Sequence, residues 1–134
     1  MIDIFIDTSA FVALLDEKDR DHRQAVIKAA QILENGWQAV TSDYVIDESY
    51  TMILKHAGYK GTVAFDEKLI TGAWKVEWIN QARFIDAQAV FRRYNRDKTW
   101  SFTDCTSYMV MKELKIKTAF TFDEHFKQMG FELL

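Results

Sequence analysis

Four acidic residues stand where a carboxylate can do chemistry. Asp7 directly follows the apolar run Ile2 to Ile6, and Asp123 directly follows Thr118 to Phe122. Glu48 lies six residues past Ser42 and Asp104 three past Ser101, each early in a segment with helical spacing. If the two runs are adjacent parallel strands, their carboxyl ends converge on one rim of a sheet, and helices starting from that rim bring Glu48 and Asp104 to it. Glu48 shares a helix face with Val45 and Met52, and Asp104 with Tyr108 and Met111, so each acid borders an apolar stripe. Carboxylates clustered in a cleft repel one another and hold protons unless a cation sits among them. An oxygen-rich set without sulfur selects Mg2+ or Mn2+. Such an ion polarises a phosphodiester and lowers the pKa of bound water, so hydrolytic phosphoryl transfer is expected with no histidine base.

Each acid also has a plainer reading. Asp7 before Thr8-Ser9 fits a turn or cap. Asp104 and Asp123 fit early helical positions favoured by the helix dipole. Asp47 is as good a carboxylate as its neighbour Glu48.

Positioning these groups requires alternating strands and helices. Ile2 to Ile6 reads as a strand, Ala10 to Leu15 as a short helix, and Asp21 onward as a helix with Ala25, Val26, Ala29, Ile32 and Leu33 at helical spacing up to Asn35-Gly36. Trp37 to Thr41 reads as a second strand. Ser42 caps a helix carrying Val45, Ile46, Ser49, Ile53 and Ala57 and ending at Gly58, and another helix spans Thr62 to Ala73. Lys75 to Ile79 is a third strand and Gln81 to Tyr94 a helix. A helix capped by Ser101 or Thr103 runs to about Lys115, followed by strand Thr118 to Phe122, helix Asp123 to Met129 and strand Phe131 to Leu134. The order predicts a three-layer α/β/α sandwich with a central, mostly parallel five-stranded sheet, formed by residues 1–134 as one domain.

Composition agrees with this reading. In 134 residues, 49% are hydrophobic and 28% charged, with no proline and five glycines, which excludes a low-complexity or linker-rich chain. The single cysteine, Cys105, excludes multi-thiolate metal sites and fits a reducing compartment. No stretch is long and apolar enough to span a bilayer and the amino terminus lacks a basic leader, so a cytoplasmic protein with no membrane partner is expected. The net charge of -3 argues against indiscriminate coating of duplex nucleic acid. It is unevenly spread. Residues 1–48 hold four basic and ten acidic residues, and the remainder thirteen and ten.

The segments IFIDTSAFVALLD, SDYVIDESY, SFTDCTSYMVMKE and AFTFDEHFKQMGFELL together resemble the PIN-domain nucleases, in particular the small toxins of bacterial and archaeal VapBC toxin-antitoxin pairs. The resemblance implies that Asp7, Glu48, Asp104 and Asp123 are catalytic and metal-binding. Thr8, Ser9 and Ser101 would orient carboxylates or water through hydroxyl bonds. It further implies a Mg2+- or Mn2+-dependent endoribonuclease that leaves a 3'-hydroxyl and a 5'-phosphate on tRNA, rRNA or mRNA. Homodimerisation and a cognate antitoxin protein are implied as well.

Arg92, Arg93, Arg96 and Lys98 form the densest basic run and are candidate RNA contacts, with Trp100 as a base-stacking platform. Otherwise the run is a solvated helix end and Trp100 a core residue. Trp37, Trp74 and Trp78 read as core or interface. Phe65, Trp74 and Tyr59 are expected to exceed what one core buries and to support a dimer. His22, His56 and His125 lack zinc-ligand spacing, and His125 is expected to face solvent. Cys105 reads as a small packing residue. Rival readings are a DNA or RNA-processing nuclease of the same fold and a catalytically inactive nucleic-acid-binding module, the second disfavoured by retention of all four acids. A phosphoacceptor receiver domain fails because the middle strand ends in Asn80 where it needs an acid.

Overall fold

The computed structural model describes residues 2–134. Five strands, β1 (Asp3–Ile6), β2 (Gln38–Ser42), β3 (Lys75–Glu77), β4 (Thr118–Phe120) and β5 (Glu132–Leu133), form one sheet in the order β3-β2-β1-β4-β5. Every pairing is parallel, with Phe5 opposite Val40 on one side and Ala119 on the other. The central strand must therefore be apolar on both faces, and Ile4, Phe5 and Ile6 are each at most 2% exposed. Short edge strands carrying Lys75, Glu77 and Glu132 are protected against further pairing by their charge.

Helix α1 (Thr8–Leu15) packs on both α2 (His22–Glu34) and α3 (Asp43–Ile70). Helix α4 (Gln81–Tyr94) packs on α5 (Phe102–Leu114), and the short α6 (His125–Gln128) adjoins α5 and β5. The sheet lies between these helical layers, as the alternation of elements predicts. Helix α3 is broken at Gly58, whose φ of 74° and ψ of -171° leave the helical region. The expected stop at Gly58 is therefore real, and the second helical piece starts immediately beyond it. Its Gly61 lies under α1: an added Cβ would come 2.7 Å from Ala57 Cβ and 3.4 Å from the Leu15 carbonyl oxygen.

Boundaries differ from expectation where side chains intercept backbone donors. β4 stops at Phe120 because the N–H of Phe122 donates to Ser9 Oγ and that of Asp123 to Thr121 Oγ1, removing both from strand pairing. β3 stops at Glu77, and the Ile79 N–H instead donates to Asp43 Oδ1. α1 begins two residues earlier than the apolar spacing indicates, at Thr8. Ser42 caps α3 by accepting from the Val45 N–H, and Ser101, in preference to Thr103, caps α5.

Of the three residues expected to exceed the core, two pack into it or against it. Phe65 is fully buried and Trp74 half-buried, the two rings packing with Phe11 at centroid distances of 4.7 to 5.5 Å. Tyr59 alone of the three is exposed, so these residues do not form an outer apolar patch. The aromatic cluster joins α1 to α3, and Phe65→Ala is expected to cost about 3–5 kcal/mol in urea unfolding with an unchanged slope. A loss below about 1 kcal/mol would show that the cluster does not hold these helices together.

Candidate metal centre

The chain leaves β1 toward β2 and β3 and returns to β4 on the other side of β1, so β1 and β4 flank the point where strand order reverses. Crevices open at the carboxyl ends of strands there. Asp7 stands at this point and occupies the position before α1, but its side chain makes no capping hydrogen bond. Its Oδ2 accepts from Ser9 Oγ at 3.2 Å and from Thr121 Oγ1 at 3.0 Å. The two hydroxyl oxygens in turn accept the N–H groups of Phe122 and Asp123. A pair of hydroxyls thus ties the buried carboxylate at the end of β1 to the backbone leaving β4.

Asp104 lies in the first turn of α5, where it both caps the helix and stands beside other acids. Its Oδ2 accepts the Ser101 N–H while Ser101 Oγ accepts the Asp104 N–H, a reciprocal cap. The same Oδ2 lies 2.8 Å from His125 Nδ1, which is also 3.5 Å from Asp123 Oδ1. Ligand atoms of Asp104, Asp123 and His125 all fall within 4.8 Å of one another, the one such group among the described residues. Asp7 and Glu48 are outside that tight trio but line the same cleft, about 720 Å³ in volume, together with Thr8, Ser9, Ser101, Asp104, Asp123 and His125. Asp47 is exposed and does not line it, so Glu48 is the acid of that pair in the cleft.

Burial, followed by the nearby Asp104 charge, pushes the Asp7 carboxyl up to about 7, with Asp123 adding to the rise. The Thr8 backbone N–H and the Thr121 hydroxyl act in the opposite direction and are outweighed. Asp7 carries a penalty that a cation would relieve. The donor set suits a hard divalent ion. Both hydroxyls on Asp7 and both donors on Asp104 bond to Oδ2, leaving the Oδ1 oxygens free of side-chain donors among the described residues. Thr8 Oγ1, in the cleft wall, is buried with no hydrogen-bond partner among them. The residues present therefore fit Mg2+ or Mn2+.

The structure corrects the expectations for Trp100 and His125 and shows where the basic run lies. Trp100 is 2% exposed and donates its indole N–H to Gln128 Oε1, so it cannot stack on a base. Arg92, Arg93 and Arg96 are exposed near the carboxyl end of α4, and with Lys98 they stand outside the cleft lining. Lys98 pairs with Asp97 at 3.6 Å, and Arg93 lies over the Tyr94 ring. Arg20 is the lysine or arginine that does line the cleft. His125 is turned into the site because its partner Asp104 comes from another helix. Thr121, buried at the exit of β4, is likewise not anticipated from the sequence. A hydroxyl two residues before Asp123 and an imidazole two residues after it were the available signals. Cys105 is buried, and burial followed by the Asp104 charge raises its thiol to about 11, consistent with packing alone.

The model of the PIN domain family matches residues 4–132. The chain is 28% identical over 133 residues to the 23S rRNA-specific endonuclease VapC20 of Mycobacterium tuberculosis, covering 96% of this chain and 95% of the relative. It is 26% identical over 113 residues to a VapC ribonuclease of Archaeoglobus fulgidus, covering 84% and 72% respectively. The crystal structure of M. tuberculosis VapC20, described as a Sarcin-Ricin loop cleaving toxin, superposes with a TM-score of 0.84 at 27% identity, covering 96% of this chain and 95% of that one.

The raised Asp7 pKa sets the pH dependence of stability without a cation. Unfolded, Asp7 loses its proton near pH 3.8; folded, it keeps it to about pH 7. This group's contribution is therefore full below the unfolded value, falls between them as pH rises, and levels off above the folded value. In EDTA, Asp7→Asn is expected to raise the unfolding temperature above about pH 7 and flatten its decline from the acid side. Parallel curves for the two proteins would refute the electrostatic account.

Proposed function

The chain belongs to the PIN domain family, and on that premise we propose that it is a toxin-type endoribonuclease that hydrolyses RNA phosphodiester bonds with Mg2+ or Mn2+ held among Asp7, Glu48, Asp104 and Asp123. The observation that carries this reading is the convergence of those acids in one cleft, with Asp7 driven toward its protonated form by burial and Asp104. When bound, the ion supplies Lewis-acid activation of the phosphodiester and of the attacking water. Asp7, Glu48, Asp104 and Asp123 would hold it, the Oδ1 oxygens of Asp7 and Asp104 being free of side-chain donors among the described residues. Ser9 and Thr121 fix the rotation of Asp7, and Ser101 fixes that of Asp104. Thr8 adds an uncommitted hydroxyl. Products would carry a 3'-hydroxyl and a 5'-phosphate. An RNA target drawn from tRNA, rRNA or mRNA, a homodimer and a cognate antitoxin complete the reading, supported by the toxin relatives.

Incubation of RNA with the purified protein is expected to give discrete cleavage that EDTA stops and Mg2+ or Mn2+ restores. Asp7→Asn and Asp104→Asn should each reduce it by more than the about 10–100-fold typical of groups that only support a ligand. Retained cleavage in either variant, with an intact fold, overturns the assignment. Cleavage of matched DNA but not RNA would favour the alternative nuclease reading.

The basic run is assigned to RNA backbone lying beyond the cleft, reached through the 95–100 loop whose Thr99 lines the cleft wall. Charge reversal at Arg92 and Arg96 is expected to weaken RNA binding and reduce the slope of log affinity against log salt by about 0.7 for each phosphate no longer neutralised. Identical slopes dismiss the assignment.

A further inference from the structure

We propose that His125 is a positioning residue that sets the rotation of Asp104, a role resting on the cation-dependent reading above. His125 ties together two acids from separate elements. Its backbone N–H donates to Asp123 Oδ1 at 2.9 Å, and its ring Nδ1 lies 2.8 Å from Asp104 Oδ2. An ionised carboxylate only accepts, so the shared proton belongs to Nδ1, and the neutral imidazole supplies it in that tautomer. The nitrogen donating to Asp104 cannot at the same time offer its lone pair to a cation. Nε2 keeps its lone pair in this tautomer, but the nitrogen set against Asp104 and Asp123 is Nδ1, so His125 is assigned to act on an ion through Asp104.

The effect on Asp104 follows from where the donors land. Ser101 N–H at 3.1 Å and His125 Nδ1–H at 2.8 Å both engage Oδ2, which restrains the carboxylate rotation and leaves Oδ1 without a side-chain donor among the described residues. Without the ring, the longer Ser101 hydrogen bond at the start of α5 alone restrains the group. The side chain of Asp104 is 9% exposed and that of Asp123 36%. His125 thus fastens the more exposed acid of the pair, on the turn after β4, to the one anchored in α5. Outer partners of this kind are worth about 10–100-fold in metal affinity.

The test uses the full chain with Mn2+ alone, followed by electron paramagnetic resonance of the free ion. His125→Asn places an amide N–H at the level of ring Nδ1, whereas His125→Gln places one at the level of Nε2. Mn2+ affinity is expected to fall about 10–100-fold in His125→Ala and His125→Gln, and to stay within about threefold of the parent in His125→Asn. Bound Mn2+ is expected to show no nitrogen hyperfine coupling. Parental affinity in His125→Ala, or an Asn variant as weak as the Gln variant, overturns the positioning role. Nitrogen coupling that His125→Ala removes also overturns it, by making the ring a direct ligand. A folded parent that binds no Mn2+ sinks the cation-dependent reading itself, and the positioning role with it, whereas a parent that binds and variants that match it sink only the latter.

Discussion

Like charges held at the exit of two adjacent parallel strands are the constraint on which this molecule is built. Asp7 is buried against Asp104 and feels Asp123, and the local hydrogen bonds that favour its charge do not compensate for burial and repulsion. A core aspartate with this penalty is costly for a fold of ordinary stability. A divalent ion would relieve that penalty, and under the proposed function the groups that repel without it would serve as its ligands.

Stiffness at the site comes from hydroxyl and amide groups doing two jobs. Ser9 and Thr121 accept backbone N–H groups from the β4 exit and donate to Asp7. Ser101 and Asp104 satisfy each other's backbone at the start of α5. Hydrogen bonds that end a strand or begin a helix therefore also fix carboxylate rotation. Elsewhere in the core, the apolar β1 and the packed Phe11, Phe65 and Trp74 rings hold the elements from which these groups emerge.

Relatives of similar length and fold carry ribonuclease names, and one is named for action on 23S rRNA. Near-complete coverage in both directions means that no large insertion separates this chain from VapC20 in the region that holds the acids. Differences in substrate would then have to arise from side chains around the rim, such as Arg20, Thr99 and Phe122, rather than from added elements.

Local sequence was sufficient for the alternation of elements, the break at Gly58, the Ser42 cap and the placing of Asp7, Asp104 and Asp123 as candidates, whereas Glu48 over Asp47 and Ser101 over Thr103 were decided by the structure. Each of the former depends on neighbours a few residues away: apolar spacing, a glycine's access to positive φ, a hydroxyl within reach of the next turn. The location of Asp7 and Asp123 at strand exits was readable for the same reason. The roles of His125 and Thr121 were not, because their partners are 21 and 114 residues distant and meet only when β4 lies beside β1 and α5 packs nearby. Trp100 shows the converse: an aromatic in a polar, basic stretch looks accessible until Gln128 and the Tyr94 and Tyr108 rings enclose it. Periodicity reports which face of an element is apolar, whereas the neighbours of a single side chain in a loop are decided by how distant elements pack.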